Sequence, residues 1–279
     1  MTHPAIAADR VAVITGGASG IGLAAARKFA AAGMRICLAD RDADALETAV
    51  AELGGEAFGR VTDVSDPQDV AGLCDDVMAR FGEVAVLMNN AGTGGGGGAW
   101  QRYDGWQKVL SVNLWGVIHG LQTFTALMID QNTPCVIINT GSKQGLTNPP
   151  GDAAYNVSKA GVRAVTESLA HELRNVEGCQ VTAHLLVPGF TYTGLIKAHV
   201  AEKPPAAWTP EQVADELLTR LGEGDFYIIC PDNDVTTEMD NARIQWNTDD
   251  ILQNRPALSR WHPDFADEFN AYIERAVKV

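Results

Sequence analysis

Residues 11–29 read "VAVITGGASGIGLAAARKF", an apolar run, a glycine cluster and an alanine-rich segment in succession. The apolar run is typical of a buried strand, and the alanine-rich segment predicts a helix. Between them, Gly16, Gly20 and Gly22 allow a tight turn, the close approach of a pyrophosphate and close packing of helix on strand. Asp40 ends the next apolar run, where a carboxylate can accept hydrogen bonds from ribose hydroxyls. A glycine pattern alone also occurs at ordinary turns, but this strand–turn–helix context predicts a dinucleotide site.

The alternation continues along the chain. Apolar runs indicate strands at 11–15, 34–40, 57–64, 84–90, 135–141, 179–189 and 226–230. Helical patterns fall at 21–33, 43–53, 66–82, 104–131, 152–175 and 209–222. Uninterrupted apolar strands separated by helices predict an α/β fold, a doubly wound parallel sheet (Rossmann fold) of about seven strands with helices on both faces. Ligands of such sheets bind at the carboxyl ends of the strands.

The tail departs from this rhythm. We expect residues 1–230 to form a dinucleotide-binding and catalytic domain, and residues 231–279 to be a C-terminal extension packed on the same domain. Trp246, Trp261 and Phe265 suggest that the extension is buried, because several exposed aromatic side chains in one segment are unusual.

Composition narrows the class of protein. The chain has 279 residues and a formal net charge of −14, which repels nucleic acid and anionic membranes as general partners. The N-terminus lacks the pattern of a signal peptide, and no uninterrupted apolar run is long enough for a membrane helix. Five widely spaced cysteines form no CxxC pair, and the histidines show no metal-ligand spacing. We therefore expect a cytoplasmic protein with reduced cysteines and no metal site.

Further motifs occur in order over about residues 10–230: "NNAG" at 89–92, "SVNLWG" around Asn113, "INTGS" ending at Ser142, "YNVSK" at 155–159 and "PGFTYT" at 188–193. With the glycine cluster at 15–22, this set resembles the short-chain dehydrogenase/reductase family, single-domain branch. The resemblance implies an NAD- or NADP-dependent oxidoreductase that interconverts a secondary alcohol and a ketone by hydride transfer. It also implies a homotetramer or homodimer. The isomerising and dehydrating branches of the superfamily space their glycines differently.

Tyr155 and Lys159 stand four residues apart, so their side chains share one helix face. A nearby lysine cation favours the phenolate, and the charge of an oxidised nicotinamide adds to this effect, so we expect the pKa of Tyr155 to be lowered toward that of a usable general base. The resemblance implies that Tyr155 exchanges the substrate proton, that Lys159 also holds the nicotinamide ribose and that Ser142 bonds the substrate oxygen. It assigns Asn113 to a water-mediated relay to Lys159. Alternatively, Asn113 marks a helix kink satisfied by its own backbone.

The resemblance extends to the cofactor. Asn89 would stabilise the sheet and Gly92 would let the cofactor pass close, while Asp63 is either an adenine contact or an ordinary turn residue. The predicted cofactor-binding set is Gly16, Ser19, Gly20, Ile21, Asp40, Arg41, Asp63, Val64, Asn90, Gly92, Tyr155, Lys159, Pro188, Gly189, Thr191 and Thr193. Thr193 and Thr191 compete for the carboxamide. Asp40 favours NAD because its carboxylate repels a 2′-phosphate, whereas Arg41 could bind that phosphate and favour NADP.

Residues 190–207 fall where the family closes a loop over the substrate, and Phe190, Leu195 and Ile196 give that loop an apolar lining. We therefore expect an uncharged, largely apolar alcohol or ketone, bulky ones included. The five glycines at 94–98 carry a high ordering entropy, and we expect a mobile loop at the mouth of the site that leaves room for substrate. An alternative from another class is a catalytically silent protein that senses or binds the cofactor on the same fold.

Overall fold

The computed structural model describes residues 2–197 and 200–277, without the side chains of Leu195 and Lys197. A seven-stranded sheet in the order β3-β2-β1-β4-β5-β6-β7 forms its centre, and every neighbouring pair is parallel. The strands are β1 (Val11–Thr15), β2 (Arg35–Asp40), β3 (Phe58–Val61), β4 (Val86–Asn89), β5 (Cys135–Thr140), β6 (Val181–Val187) and β7 (Tyr227–Ile229). The strand order reverses between β1 and β4, which places a ligand crevice at their carboxyl ends.

Helices cover both faces of the sheet, as the sequence predicts. They are α1 (Gly20–Ala31), α2 (Ala43–Leu53), α3 (Pro67–Phe81), α4 (Tyr103–Leu110), α5 (Gly116–Asp130), α6 (Gln144–Thr147), α7 (Ala153–Arg174), α8 (Gly194–Lys197), α9 (Pro210–Glu223), α10 (Thr237–Leu252) and α11 (Ala266–Val277). One face buries residues of α1, α2 and α9 against the sheet, and the other buries residues of α3, α5 and α7. The predicted doubly wound α/β fold is confirmed, although most strands are shorter than predicted.

Helices α4 and α5 join through a π-helical turn, Ser111–Trp115, into one continuous helix. This helix, Tyr103–Asp130, is long and apolar enough to cross a membrane by length and composition alone. Its apolar side chains instead pack against the sheet, where Phe124 and Met128 are fully buried. One face of the helix therefore contributes to the core, whereas Trp115 is exposed.

The tail is mostly helical, which its lack of α/β alternation concealed. Trp246 on α10 is 2% exposed and packs against Phe269 and Tyr272 of α11. Trp261, however, is 38% exposed, so the expectation that it is buried is wrong. Phe265 is partly buried. The indole of the buried Trp246 donates to the Ser259 hydroxyl at 2.8 Å.

Candidate active site

The glycine turn between β1 and α1 is fixed by close backbone contacts. Gly16 has a φ of +63°, and a Cβ on it would come within 2.8 Å of the Ala91 backbone. A Cβ on Gly22 would lie 2.3 Å from the Gly16 carbonyl oxygen. Both positions therefore require glycine. The Asn90 amide donates to the carbonyl oxygens of Thr15 and Gly16 at 3.1 and 3.2 Å, so Asn90 shapes the turn with its side chain.

The first turn of α1 lacks a side-chain cap. Ser19 is its N-cap residue but makes no side-chain capping bond, and the turn holds no acidic residue. By contrast, Asp42, Asp66 and Asp152 each cap their helices with a side-chain oxygen. Uncapped amides at a helix N-terminus suit an anion such as a pyrophosphate. Gly20 and Ile21 open this helix, so the residues present fit a dinucleotide.

Thr193 lies beside the same turn. Among the described residues, a Cβ on Gly20 would meet Thr193 alone, at 3.5 Å, which leaves room above the glycine. Thr191 is buried instead, and its hydroxyl donates to the Gly189 carbonyl oxygen at 3.2 Å. The placement therefore favours Thr193 over Thr191 as the threonine that faces a cofactor. Pro188 and Gly189 directly follow β6, at the same edge of the sheet.

Asp40 is held by backbone amides at the end of β2. One carboxylate oxygen accepts from the Ala18 amide and the other from the Asp42 amide, both at 3.2 Å. Arg41 is exposed and close enough to Asp63 to help lower the pKa of that carboxyl group. The main cause of this lower pKa is the pair of hydrogen bonds from Ser65. The hydrogen bonds from Ser65 give one oxygen of the Asp63 carboxylate a role in the turn, and the adenine contact stays a prediction.

Val64 follows in the same loop and is 6% exposed. Its carbonyl oxygen lies 2.9 Å from Nδ1 of His119, and a Cβ on Gly116 would lie 2.7 Å from the Val64 side chain. Val64 thus packs against the long α4–α5 helix. His119 is engaged in this backbone contact.

Tyr155 and Lys159 stand on one face of α7, as predicted. The Lys159 ammonium donates to the Thr140 carbonyl oxygen at 2.7 Å and lies 5.8 Å from the centre of the Tyr155 ring. Lys159 is 4% exposed, and its burial lowers its pKa from 10.5 to about 8. Ser142 is within hydrogen-bonding reach of the Tyr155 phenol, where it acts to lower the phenol pKa. Three of the four predicted catalytic side chains therefore converge.

The electrostatics of Tyr155 differ from the expectation. Burial raises the pKa of its phenol above the ordinary value, and the nearby Asp152 carboxylate raises it further. The hydrogen bond with Ser142 opposes this but does not outweigh it. The expectation that Lys159 brings the pKa of Tyr155 below its usual range is therefore wrong for the protein by itself, because desolvation of the phenolate dominates.

Asn113 is fully buried in the π-helical turn. Its side-chain oxygen accepts from the Thr93 amide at 2.7 Å, and its nitrogen donates to the Thr93 carbonyl oxygen at 2.9 Å. The nitrogen also donates to the Ser158 hydroxyl at 3.1 Å, and that hydroxyl donates to the Tyr155 carbonyl oxygen at 2.7 Å. Asn113 thus lies at an irregularity of the helix, as the alternative expected, but its side chain bonds to Thr93 and Ser158 and not to its own helix backbone. Gly92 lies beside Asn113, since a Cβ there would be 3.6 Å from its side-chain oxygen.

The five-glycine run is not the mobile rim that the sequence suggested. The amides of Gly95, Gly96 and Gly97 all donate to the Asp152 carboxylate, at 2.8, 3.1 and 3.2 Å. A Cβ on Gly96 would lie 2.4 Å from that of Ala154. The missing side chains thus permit close packing on α7, and the compensating hydrogen bonds offset the ordering entropy of the glycines.

Three residues behind the site were missed from the sequence. Asp152 caps α7 by accepting from the Tyr155 amide at 3.2 Å, and its position three residues before Tyr155 was an available signal. Thr140 accepts the hydrogen bond of Lys159 with its backbone carbonyl oxygen. Every residue type carries that atom, so no sequence motif could indicate the contact. Asn139 accepts from Asn89 at 2.9 Å and donates to Thr166 at 3.0 Å, joining β4, β5 and α7.

Comparisons with known proteins agree with this geometry. The sequence model of the short chain dehydrogenase family matches residues 10–204. A 1-deoxy-11-beta-hydroxypentalenate dehydrogenase from Streptomyces exfoliatus is 34% identical over 228 residues, which cover 78% of this chain and 82% of that protein. An NADP-dependent (R)-specific alcohol dehydrogenase from Lentilactobacillus kefiri is 34% identical over 67% of this chain and 75% of its own length.

A solved structure is similar over nearly the whole chain. The short chain dehydrogenase/reductase from Burkholderia phymatum, in complex with NAD, has a TM-score of 0.82 and 35% identity, over 92% of this chain and 98% of its own. The protein described here belongs to the short-chain dehydrogenase/reductase family, single-domain branch. It is an NAD(P)-dependent oxidoreductase of secondary alcohols and ketones. Nothing in these comparisons supports a silent cofactor-binding protein.

Proposed function

We propose that Tyr155 is the general acid and base of this oxidoreductase, with Ser142 and Lys159 acting beside it. The observation that carries the proposal is the convergence of these side chains at the carboxyl ends of β5 and β6, next to the uncapped start of α1. A bound nicotinamide supplies or accepts the hydride. The chain itself places the substrate oxygen and moves the proton.

In ketone reduction, the hydroxyls of Ser142 and Tyr155 donate hydrogen bonds to the substrate oxygen, and Tyr155 then gives up its proton. In alcohol oxidation, the phenolate of Tyr155 takes the alcohol proton. Lys159 stabilises that phenolate, and its pKa of about 8 suits proton exchange near neutral pH. We assign Asn113 a positioning role, because its side-chain amide is already engaged with Thr93 and Ser158. Any water relay to Lys159 would then rely on the geometry that Asn113 maintains.

We propose NAD as the preferred cofactor. Two backbone amides fix the Asp40 carboxylate at the end of β2, where its charge would repel a 2′-phosphate. Arg41, the residue that would favour NADP, lies exposed near Asp63. We infer that the remaining members of the predicted binding set, Ser19, Ile21, Val64 and Gly92 included, act in the roles that the resemblance implies. Initial rates with NADH and NADPH test this choice, and a clear advantage for NADPH would overturn it.

The proposed substrate is an uncharged, largely apolar secondary alcohol or its ketone. Phe190 is 38% exposed, and Ile196 is partly buried on α8. The side chain of Leu195 lies outside the described residues. The test is a panel of aryl and alkyl ketones measured against small polyols and sugar acids. We expect kcat/KM to favour the ketones, and preference for the polar compounds would contradict the assignment.

Exposed apolar side chains on the long helices bear on the oligomeric state. Trp115 and Val157 are 52% and 46% exposed on the long helices α4–α5 and α7, and covering such side chains favours association. We propose a homotetramer or homodimer built on these helices, which light scattering would detect.

The proposed location is the cytoplasm. Five unpaired cysteines, four of them buried, suit that reducing compartment. Contacts such as that between the Asn247 amide and the Leu146 carbonyl oxygen support residues 231–279 as part of the main domain, so one cooperative unfolding transition is expected.

A further inference from the structure

A pocket of about 280 Å³ opens between α6 and the C-terminal extension. Leu146, Ile244 and Trp261 give it apolar walls, and Arg243 and Arg260 supply two guanidinium groups. The catalytic side chains of Ser142 and Tyr155 are not part of its lining. The pocket is therefore distinct from the place of hydride transfer, although both adjoin the segment that follows β5.

The charges in this pocket are unevenly paired. The ammonium of Lys143 lies 2.6 Å from the Asp240 carboxylate and 3.3 Å from that of Asp232, so Lys143 already occupies the two acidic groups. Within residues 2–197 and 200–277, neither Arg243 nor Arg260 has a carboxylate at ion-pair distance. Three cations thus face two carboxylates, and one net positive charge remains.

The two arginines are also poorly compensated by hydrogen bonds. Nε of Arg243 is buried without a hydrogen-bond partner in the described chain. Arg260 stacks over Trp261 at 4.7 Å and over Phe269 at 5.2 Å, which compensates its charge only in part. Burial and the proximity of Arg243 lower the pKa of Arg260 to about 10, although the Asp240 carboxylate opposes this shift in part. Two such guanidinium groups in one cavity provide the donors that a carboxylate accepts.

We propose that this pocket is a binding site for an organic carboxylate with an apolar body, separate from the site of the alcohol or ketone. The carboxylate would accept hydrogen bonds from Arg243 and Arg260, and the apolar body would lie against Leu146, Ile244 and Trp261. The inference goes beyond the proposed oxidoreduction and does not depend on its substrate.

Benzoate is the probe, and benzamide, which has the same shape without the charge, is the matched ligand control. Titration calorimetry of the full-length protein should show benzoate binding that is at least tenfold tighter than benzamide binding. Arg243→Gln and Arg260→Gln should each weaken benzoate at least tenfold, the loss expected for one charged hydrogen-bonding partner. Arg275→Gln, at an exposed position at the end of α11, should leave its affinity unchanged.

Ile244→Glu provides a second test that keeps both arginines, since a carboxylate at this wall should neutralise the remaining positive charge and abolish benzoate binding. NADH affinity, measured by fluorescence, should remain unchanged in all these variants and shows that each is folded. The proposal also requires that benzoate leave the KM of a neutral ketone unchanged. Equal binding of benzamide, full affinity in both glutamine variants, or competition between benzoate and the ketone would each overturn it.

Discussion

The carboxylate of Asp152 lies 2.8 Å from the amide of Gly95. The same carboxylate accepts hydrogen bonds from two further glycine amides and from the amide of Tyr155. One side chain therefore joins the glycine run to the helix that carries Tyr155 and Lys159. It also places a negative charge near the phenol of Tyr155, and these two effects can be measured separately.

Replacing Asp152 with alanine should destabilise the protein and disturb the site. The loss of the helix cap and of three charge-assisted bonds to the glycine run should lower the free energy of unfolding by roughly 2–4 kcal/mol. Asp42→Ala is the matched control, because Asp42 caps α2 through a single amide, that of Ala45. It should cost about 1 kcal/mol and leave kcat unchanged. Urea denaturation and initial rates report both quantities, and equal effects of the two variants would refute the special role of Asp152.

Asp152→Asn should move the pH profile of alcohol oxidation toward lower pH. The Asp152 charge raises the pKa of Tyr155, so its removal should lower that pKa and populate the phenolate at a lower pH. The acidic limb of kcat/KM is the readout. Asp42→Asn, far from the phenol, should keep the wild-type limb. A shift of the Asp152→Asn limb toward higher pH would show that the cause is structural disturbance instead.

The catalytic helix α7 was easier to predict from the sequence than the glycine run at 94–98 that packs against it. The fold and the shared helix face of Tyr155 and Lys159 could be predicted because their signals are local: apolar periodicity, a glycine turn and a Tyr–Lys spacing along one helix. Ser142 and Asn113 were singled out only through the family resemblance. The sequence suggested the wrong behaviour for the glycine run because its hydrogen-bonding partner, Asp152, lies 57 residues after Gly95. No local sequence pattern indicates that contact. The high conformational entropy of glycine, taken alone, indicated a mobile loop. The hydrogen bonds from Gly95, Gly96 and Gly97 to Asp152 instead hold the loop in place.

Lys159 should make the stability of the protein rise with pH. Its pKa is lowered from 10.5 to about 8 by burial, so the unfolded chain binds more protons between these two values. The penalty for burying the ammonium is present in full below pH 8 and disappears as the pH rises toward 10.5. Wild type should therefore gain roughly 3 kcal/mol relative to Lys159→Met over that window.

Urea unfolding of both proteins between pH 7 and about 10 measures this difference. Lys108→Met, at an exposed lysine on α4, is the control, and its difference from wild type should stay constant with pH. A flat difference for Lys159→Met as well would contradict the account of a desolvated ammonium.

Asp40→Ser should weaken the discrimination between the two reduced cofactors. The ratio of kcat/KM for NADH to that for NADPH should fall at least tenfold, because the group that repels the 2′-phosphate is removed. Asp42→Ser is the control, since serine still caps α2 and the charge at Asp40 remains. A wild-type enzyme that prefers NADPH, together with a large loss of NADPH activity in Arg41→Gln, would show that Arg41 governs the choice.

Two features of the site depend on packing that no motif encodes. The raised pKa of Tyr155 results from its burial, whereas the Tyr–Lys spacing alone suggests a lowered one. The carboxylate-binding pocket requires α10 and the segment after it to fold back on α6, and the aromatic residues of the tail indicated only burial. Trp246 meets that expectation and Trp261 does not, because Trp261 forms part of the pocket wall.

Proton transfer by Tyr155 is tested most directly by the turnover of Tyr155→Phe, measured with NADH and a neutral aryl ketone. We expect kcat to fall by a factor of about 10² to 10⁴, the usual contribution of a general acid or base. The Kd of NADH, measured on the same sample by fluorescence, should stay within about twofold of wild type, since a change of that size is below 0.5 kcal/mol. Turnover close to that of wild type, with NADH bound equally well, would contradict the assignment of proton transfer to Tyr155.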